Sequence, residues 1–311
     1  MAVDNQIVYR IYFTFIQLVT TRQREPVKLL VTGGYTMNIQ GKTILITGAS
    51  RGIGRSIALE FARTQQVKRL IIVARSPDRL QEVANEINSL GIEAIPLALD
   101  LTQPIEVNIA VAKAWRDYGP IHLLVNCAGV AHQTPFLQSQ LPQIQDELSL
   151  NLMGMYTITR LIARRMATQR EGTIVNVSSL MGKIAAPTMA TYSATKFAIL
   201  GFTQALRGEL ATHNIRVVAL LPSLTDTDMA RKFQWFRWVM PTTPELVAKA
   251  LVRGLKRESS EILVGWQSQL AVFGNRLLPS LLELVTKLAA PLPENRESVN
   301  TKLREARADV Q

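Results

Sequence analysis

Residues 42–54 read KTILITGASRGIG, an apolar run that ends in three closely spaced glycines. The β-branched and apolar residues from Thr43 to Ile46 predict a buried strand, and the run from Arg55 to Arg63 is compatible with a helix. Glycines between a strand and a helix let the backbone approach a pyrophosphate, whose charge is attracted by the free N–H groups and dipole of the helix start. The spacing, Gly-x3-Gly-x-Gly, differs from the commonest dinucleotide-binding pattern, so this stretch taken alone also fits an ordinary turn.

The composition is that of a globular protein with a substantial core, at 311 residues and 47% hydrophobic content. No apolar run reaches the roughly 20 residues of a spanning helix. The single cysteine, Cys127, cannot form an internal disulfide, so we expect a cytoplasmic protein. The net charge of +11 favours an acidic partner, either cofactor phosphates or an anionic membrane surface. We expect no nucleic-acid partner and no metal, because no basic tract is interleaved with aromatics and the three histidines lack ligand spacing.

Residues 1–36 do not resemble the start of a domain. The segment from Ile7 to Val19 is mostly apolar but contains Arg10, is too short to span a bilayer, and lacks an early basic region and a small-residue cleavage site. Two interpretations stay open. The segment is either an amphipathic leader at a membrane surface or a non-native extension, in which case Met37 is the native start.

Strands and helices alternate after the glycine turn. Further buried strands are predicted at residues 69–75, 94–99, 122–125, 173–177, 216–220 and 261–264, with helices of ten or more residues between most of them. This alternation predicts an α/β fold, a Rossmann-like doubly wound parallel sheet with helices on both faces and ligands at the carboxyl ends of the strands. We expect one domain over residues 37–265 and a helical C-terminal extension over residues 266–311.

The end of the second strand is where the adenosine ribose of a dinucleotide should lie. An acidic residue there would accept a hydrogen bond from a ribose 2′-hydroxyl, but Ala74 and Arg75 occupy the place. Arg75, with Arg51 in the glycine turn, therefore predicts binding of a 2′-phosphate and NADP(H) as the cofactor. The alternative is that both arginines are solvated surface charges.

A tyrosine and a lysine at helical spacing follow the fifth strand. Tyr192 and Lys196 would share one helix face. A phenol with a pKa of about 10 exchanges protons poorly at neutral pH unless a cation lowers that pKa, and Lys196 with an oxidised nicotinamide would supply the charge. The Ser179 hydroxyl would hold a substrate oxygen while hydride moves between the substrate and the nicotinamide. An isolated Tyr-x3-Lys pair also fits simple packing of the tyrosine beside a solvated lysine.

Taken together, these motifs closely resemble the short-chain dehydrogenase/reductases over about Gly41 to Val264. The resemblance is carried by residues 47–54, Asp100-Leu101, Asn126-Cys127-Ala128-Gly129, Asn151, Ser179, Tyr192-x3-Lys196 and Pro222-Ser223. There are two departures from the family pattern. Cys127 stands where a second asparagine is usual, and Ser223 stands where a glycine usually follows the proline.

The resemblance implies four catalytic residues. Tyr192 would be the acid and base, and Lys196 would bind the nicotinamide ribose and lower the pKa of Tyr192. Ser179 would polarise the substrate carbonyl. Asn151 would hold the water through which protons reach Lys196. The implied function is an NADP(H)-dependent oxidoreductase that interconverts a carbonyl and a primary or secondary alcohol, in a homo-oligomer formed through the helices that hold Asn151 and Tyr192.

The implied cofactor site draws on the ends of several strands and on the helix that holds Tyr192. Arg75, Tyr192 and Lys196, named above, belong to it. The other members are Gly48, Ser50, Arg51, Gly52, Ile53 and Gly54 at the phosphates, Asp100 and Leu101 beside the adenine, Asn126, Ala128 and Gly129 at the ribose and central sheet, and Pro222, Thr225 and Thr227 at the nicotinamide amide.

Two apolar segments bear on the substrate. Residues 229–240, MARKFQWFRWVM, lie where the family encloses its substrate, and their aromatic density predicts a lid for an apolar substrate or a lid that touches lipid. Packing of the lid onto the body is the alternative. Leucines and a valine between residues 281 and 288 predict an amphipathic helix after Pro279. With Arg276, Lys287 and the basic tail (Lys302, Arg304, Arg307), that helix would suit an anionic bilayer, unless it docks on the body or on another subunit.

Two rival functions remain beside a carbonyl reductase. One is an NADPH-binding sensor without turnover, which the complete Asn-Ser-Tyr-Lys set argues against, since a sensor needs no tuned phenol. The other is a lipid ketone reductase working at a membrane surface.

Overall fold

The computed structural model describes residues 38–291. The predictions made for residues 1–36 and for the basic tail beyond residue 291 lie outside the described residues. Within residues 38–291 the structure has one seven-stranded sheet and nine α-helices. No helix in this part of the chain is long and apolar enough to cross a membrane.

All the strands of the sheet run parallel, in the order β3-β2-β1-β4-β5-β6-β7. The order reverses between β1 and β4, and in doubly wound sheets the crevice at that reversal is where ligands bind. The predicted fold class is therefore confirmed. The strands are β1 (Thr43–Thr47), β2 (Arg69–Ala74), β3 (Glu93–Ala98), β4 (Leu123–Asn126), β5 (Gly172–Val177), β6 (Ile215–Leu221) and β7 (Glu261–Leu263).

Helices cover both faces of the sheet. They are α1 (Gly52–Arg63), α2 (Pro77–Ser89), α3 (Pro104–Tyr118), α4 (Leu141–Leu148), α5 (Met155–Gln169), α6 (Ala190–Ala211), α7 (Pro244–Lys256), α8 (Trp266–Leu277) and α9 (Pro279–Ala289). Alternate residues of a strand point to opposite faces. Accordingly Ile44 and Ile46 pack into one core with α1, α2 and α7, while Leu45 packs into a second core with α3 and α5. Burial on both faces explains why the strands read as continuous apolar runs.

A network of buried amides links the two central strands to the helices. The amide nitrogen of Asn126 donates to Oδ1 of Asn176 at 2.8 Å and to the hydroxyl of Thr159 at 2.8 Å. The amide nitrogen of Asn176 donates in turn to the hydroxyl of Thr203 at 2.9 Å. All four residues are buried, where a lost hydrogen bond is costly. The network therefore fixes β4 and β5 against α5 and against α6, the helix that holds Tyr192 and Lys196.

The structure refines two of the predicted elements. Between β4 and β5, α4 and α5 are joined by one π-helical turn, Ser149–Gly154. Within the predicted helical extension, residues 267–273 lie inside α8. The amphipathic helix predicted after Pro279 is α9.

Candidate active site

The glycine turn between β1 and α1 allows no side chain at two of its positions. Gly48 has φ +69°, and a Cβ there would lie 2.8 Å from Cα of Ala128. A Cβ on Gly54 would overlap the carbonyl oxygen of Gly48. The turn therefore packs backbone against backbone. Helix α1 begins at Gly52, and its N-cap residue, Arg51, makes no side-chain capping bond, so the N-cap side chain leaves the first N–H groups of the helix available to an anion.

A threonine that the sequence does not single out joins the two strands at the topological reversal. The hydroxyl of Thr47, the last residue of β1, accepts hydrogen bonds from the backbone N–H groups of Cys127 at 3.0 Å and Ala128 at 3.1 Å. These contacts hold the end of β4 against the glycine turn. Only the pairing of β1 with β4 reveals this role, because the partners lie about 80 residues apart in sequence.

The residues predicted at the adenosine end lie after β1, β2 and β3. Arg75 and Arg51 are both exposed, and the Arg51 guanidinium lies 4.0 Å from a carboxylate oxygen of Asp228. Asp100 turns its Oδ1 onto its own loop, where it accepts from the backbone N–H and the hydroxyl of Thr102 at 2.9 and 2.8 Å. Leu101 is buried in the second core.

The predicted catalytic tyrosine and lysine lie on the first turns of α6. Nζ of Lys196 lies 5.4 Å from the centroid of the Tyr192 ring and donates to the carbonyl oxygen of Val177 at 3.1 Å. The hydroxyl of Ser178 donates to the Lys196 carbonyl at 2.8 Å. The start of α6 is therefore anchored to the carboxyl end of β5, and the shared helix face predicted for the pair is present.

Burial sets the protonation of this pair. It lowers the pKa of Lys196 to about 8 and raises the pKa of Tyr192 to about 12, with the nearby Ser179 hydroxyl opposing part of that rise. The sequence predicts the opposite direction for Tyr192, because it reveals the neighbouring lysine but not the burial. Desolvation disfavours the charged form of both groups, so the phenol keeps its proton throughout the neutral range.

Asn151 ties the catalytic helix to the segment after β4. We call residues 129–132 the strap. The Asn151 side chain lies in the π-helical turn, accepts from the Val130 N–H at 2.9 Å, and donates to the Val130 carbonyl at 2.9 Å and to the Thr195 hydroxyl at 3.2 Å. A Cβ on Gly129 would lie 3.2 Å from Oδ1 of Asn151 and 3.7 Å from Nζ of Lys196. The strap glycine therefore marks where these two side chains meet.

The nicotinamide segment predicted after β6 lies against the glycine turn. The Pro222 carbonyl accepts from the Leu180 N–H at 2.8 Å, which joins the ends of β5 and β6. Ser179 precedes Leu180, and the Ser179 hydroxyl accepts from the Met181 N–H at 3.1 Å.

Two threonines predicted at the nicotinamide belong to the same segment. Thr225 is buried, and the methyl group of Thr227 would lie 3.2 Å from a Cβ on Gly52. Residues from four strand ends therefore meet at one edge of the sheet.

The structure shows burial at Cys127 and a backbone contact at Ser223, the two positions that depart from the family pattern. Cys127 is partly buried, and burial raises the pKa of its thiol to about 12, which makes a reactive thiolate unfavourable at neutral pH. The Ser223 carbonyl accepts from the Thr225 hydroxyl at 2.9 Å.

The lid, residues 229–240, is held by hydrogen bonds at Gln234 and Arg237 and keeps much of its apolar surface exposed. Gln133, next to the strap, exchanges two hydrogen bonds with the backbone of Gln234, at 2.9 and 2.8 Å. The Arg237 N–H donates to the carbonyl of Ala289 in α9 at 2.8 Å. Trp235 and Trp238 are 41% and 57% exposed. Packing onto the body therefore accounts for only part of the aromatic density.

Residues 42–237 match the family model described as short chain dehydrogenase, and the chain belongs to that family of oxidoreductases. A 3-oxoacyl-(acyl-carrier-protein) reductase of Aquifex aeolicus is 37% identical over 194 residues, 62% of this chain and 77% of the relative. A ketoacyl reductase of a Nostoc species is 31% identical over 229 residues, 73% of this chain and 79% of the relative. A short chain dehydrogenase from Burkholderia cenocepacia, solved in complex with NADP, aligns with a TM-score of 0.70 and 28% identity over 82% of this chain and 100% of its own.

The comparisons confirm the family, the oxidoreductase class and the fold that the sequence motifs predict. The roles of the individual site residues stay predictions, and the structure supplies the distances and hydrogen bonds described above.

Proposed function

We propose that the protein reduces a carbonyl to an alcohol, and reverses that reaction, with NADP(H) as the hydride carrier. The observation that carries the proposal is the meeting of Ser179, Tyr192, Lys196 and Asn151 at the carboxyl edge of the sheet, beside the glycine turn. NADP(H), when bound, supplies or accepts the hydride. In reduction, Tyr192 gives its proton to the developing alkoxide while Ser179 holds that oxygen, and the Lys196 charge stabilises the tyrosinate that forms.

The residues present fit a phosphorylated dinucleotide. The bare backbone at Gly48 and Gly54 leaves no side chain between the turn and a pyrophosphate. Arg51 and Arg75 are exposed cations at the turn and at the end of β2, where a 2′-phosphate would lie. The NADP complex of the Burkholderia relative supports the same choice.

An apolar substrate is the second part of the proposal. Trp235, Trp238 and Met240 expose 41%, 57% and 65% of their surface on the lid, and apolar side chains of this kind line sites for apolar ligands. The test is NADPH oxidation measured over panels of ketones, aldehydes, quinones and acyl thioesters, each in short-chain and long-chain forms. We expect turnover with a preference for the longer chains. No turnover with any carbonyl would contradict the reductase assignment and favour the sensor.

A surface on α9 supports contact with a membrane. Leu281, Leu284, Val285 and Leu288 are between 40% and 52% exposed, and their spacing of three and four residues places them on one stripe. Three exposed cations lie on α9 or on segments joined to it: Lys287 on α9, Arg276 on α8, and Arg237, whose N–H donates to the carbonyl of Ala289. Glu283 is an exposed acidic residue on the same helix. We propose that this stripe lies on an anionic bilayer, from which an apolar substrate reaches the lid.

Vesicle flotation tests the membrane contact. The full chain should float with phosphatidylglycerol vesicles and much less with phosphatidylcholine, and Leu284→Glu should abolish flotation. Leu246→Glu is the matched control, since Leu246 is 50% exposed on α7. Absence of flotation, or a Leu284→Glu variant that merely dissociates an oligomer, would contradict the proposal and favour docking on a second copy.

We also propose that the protein is a cytoplasmic homo-oligomer with a catalytic domain over residues 37–265 and an extension over residues 266–311. Met153, Tyr156 and Phe197 support the oligomer, because they are 65%, 44% and 44% exposed on the helices and turn that carry Asn151 and Tyr192. Phe197→Glu should lower the mass measured by sedimentation velocity. A wild-type protein that sediments as a monomer would refute the oligomer, and a Phe197→Glu variant with the wild-type mass would refute this interface.

A further inference from the structure

Glu147 is a buried carboxyl beside the candidate site. It lies in the last turn of α4 with 1% of its surface exposed. Its Oε1 accepts from the backbone N–H of His132, whereas Oε2 has no hydrogen-bond partner among the described residues. Burying a carboxyl oxygen without a partner is costly. A buried apolar side chain at this position would avoid that cost, so packing alone does not explain the presence of a carboxyl group.

The carboxyl and a second unpaired oxygen line one small cavity. His132, Thr134, Glu147, Thr188 and Thr191 are among its lining residues, and the buried hydroxyl of Thr188 also has no partner among the described residues. The space open to water there is about 20 Å³, against the roughly 10–15 Å³ that one water needs. Thr188 has φ +65°, which is rare for a β-branched residue and typical of strained functional loops. We call this space the relay cavity.

The relay cavity adjoins the catalytic residues through one helix face and the strap. Glu147 and Asn151 are four residues apart and so lie one turn apart on the same face. Glu147 holds the His132 end of the strap, and Asn151 holds Val130. Thr191, in the cavity wall, directly precedes Tyr192. Burial is the main cause of both pKa shifts, and the negative charge of Glu147 opposes the lowering at Lys196 and adds to the rise at Tyr192, which indicates that its field reaches both groups.

The other side of the cavity leads to solvent. Nε2 of His132 lies 3.2 Å from Oδ2 of Asp146, and the two side chains are 32% and 41% exposed. The charged or titratable groups around Glu147 are His132 on the strap, Asp146 on its own helix, and Lys196 and Tyr192 on α6. Burial raises the pKa of Glu147 above that of an ordinary carboxyl, toward the range in which a proton is exchanged readily at neutral pH.

We propose that Glu147 relays protons between the relay cavity and the Asn151–Lys196–Tyr192 set, an inference that rests on the proposed function. In each reduction a hydride goes from the cofactor to the carbonyl carbon, and a proton goes from Tyr192 to the carbonyl oxygen. The proton lost by Tyr192 is replaced from the Lys196 side. Lys196 is replenished from Glu147 through water at Asn151, and Glu147 takes a proton from water in the cavity. One proton from solvent is consumed in each turnover.

Glu147→Gln tests the relay, because glutamine still accepts from the His132 N–H but carries no exchangeable acid proton. We expect kcat for reduction to fall about 100-fold, the lower range for loss of a proton-transfer group. KM for NADPH and the melting temperature should stay the same, and the solvent deuterium isotope effect on kcat should rise.

In Glu147→Ala, added formate should restore part of kcat. Glu106→Gln, an exposed acid on α3, controls for loss of one negative charge and should behave as wild type.

The outcomes separate the relay from other roles. A shift of the pH profile with unchanged maximal kcat and isotope effect would make Glu147 a mere electrostatic neighbour and overturn the relay. A loss of melting temperature without formate rescue would make it structural and also overturn the relay. If Glu147→Gln does not fold, Thr188→Val carries the test and should lower kcat several-fold with the same isotope signature. Absence of carbonyl reduction in the wild-type protein would refute the proposed function and the relay with it. If the wild-type protein reduces carbonyls and both Glu147→Gln and Thr188→Val do so at the same rate, the relay alone is refuted.

Discussion

Replacing Gly48 with alanine is the sharpest structural test of the glycine turn. The residue has φ +69°, and a Cβ would lie 2.8 Å from Cα and 2.9 Å from N of Ala128. A left-handed backbone costs a residue other than glycine about 1–2 kcal/mol. Moving backbone to relieve the contact costs about 1–3 kcal/mol more. We therefore expect Gly48→Ala to lower the free energy of unfolding by about 2–5 kcal/mol.

The same substitution should displace the turn from the end of β4 and weaken NADPH binding at least tenfold. Urea unfolding and NADPH fluorescence titration measure the two effects. The matched control is Gly208→Ala. Gly208 lies inside α6, where a Cβ would meet nothing within 4 Å, so this variant should gain about 0.5–1 kcal/mol. A Gly48→Ala protein with the wild-type urea midpoint and NADPH affinity would refute the reasoning.

Two further predictions concern the cofactor and the pH dependence. Arg75→Ser should weaken NADPH binding about 10- to 100-fold, as expected for a lost charge-assisted contact, and leave NADH binding unchanged. Arg79→Ser, also exposed near the start of α2, is the control, and equal losses for both cofactors would contradict a 2′-phosphate site. Lys196 loses its positive charge as pH rises through its lowered pKa of about 8, so kcat/KM for reduction should fall about tenfold per pH unit above that value. A profile that stays flat to pH 10 would contradict a role for the Lys196 charge.

Local sequence patterns predict the architecture well, because a parallel sheet covered on both faces leaves continuous apolar runs separated by helices. The turn at Gly48 and the pairing of Tyr192 with Lys196 can also be predicted from the sequence, because each depends on the spacing of residues that are close along the chain. The π-helical turn at Asn151 cannot be predicted from the local sequence, because it is stabilised by contacts with the strap and α6.

What the sequence misses depends on contacts distant along the chain. The role of Thr47 requires the register of β1 against β4, and the amide network of Asn126 and Asn176 requires two helices. The direction of the Tyr192 pKa depends on burial. Glu147 belongs to no motif, and its importance is visible only when the strap and Thr188 close around it.

The most direct test of the account compares Tyr192→Phe with the wild type in one NADPH assay that records both cofactor binding and carbonyl reduction. Phenylalanine keeps the ring against Lys196 but removes the proton donor. We predict wild-type NADPH affinity with reduction lowered at least 1,000-fold, which corresponds to about 4 kcal/mol of transition-state stabilisation. Carbonyl reduction at the wild-type rate would show that the Tyr192 phenol does not deliver the proton, and would contradict the mechanism proposed for this site.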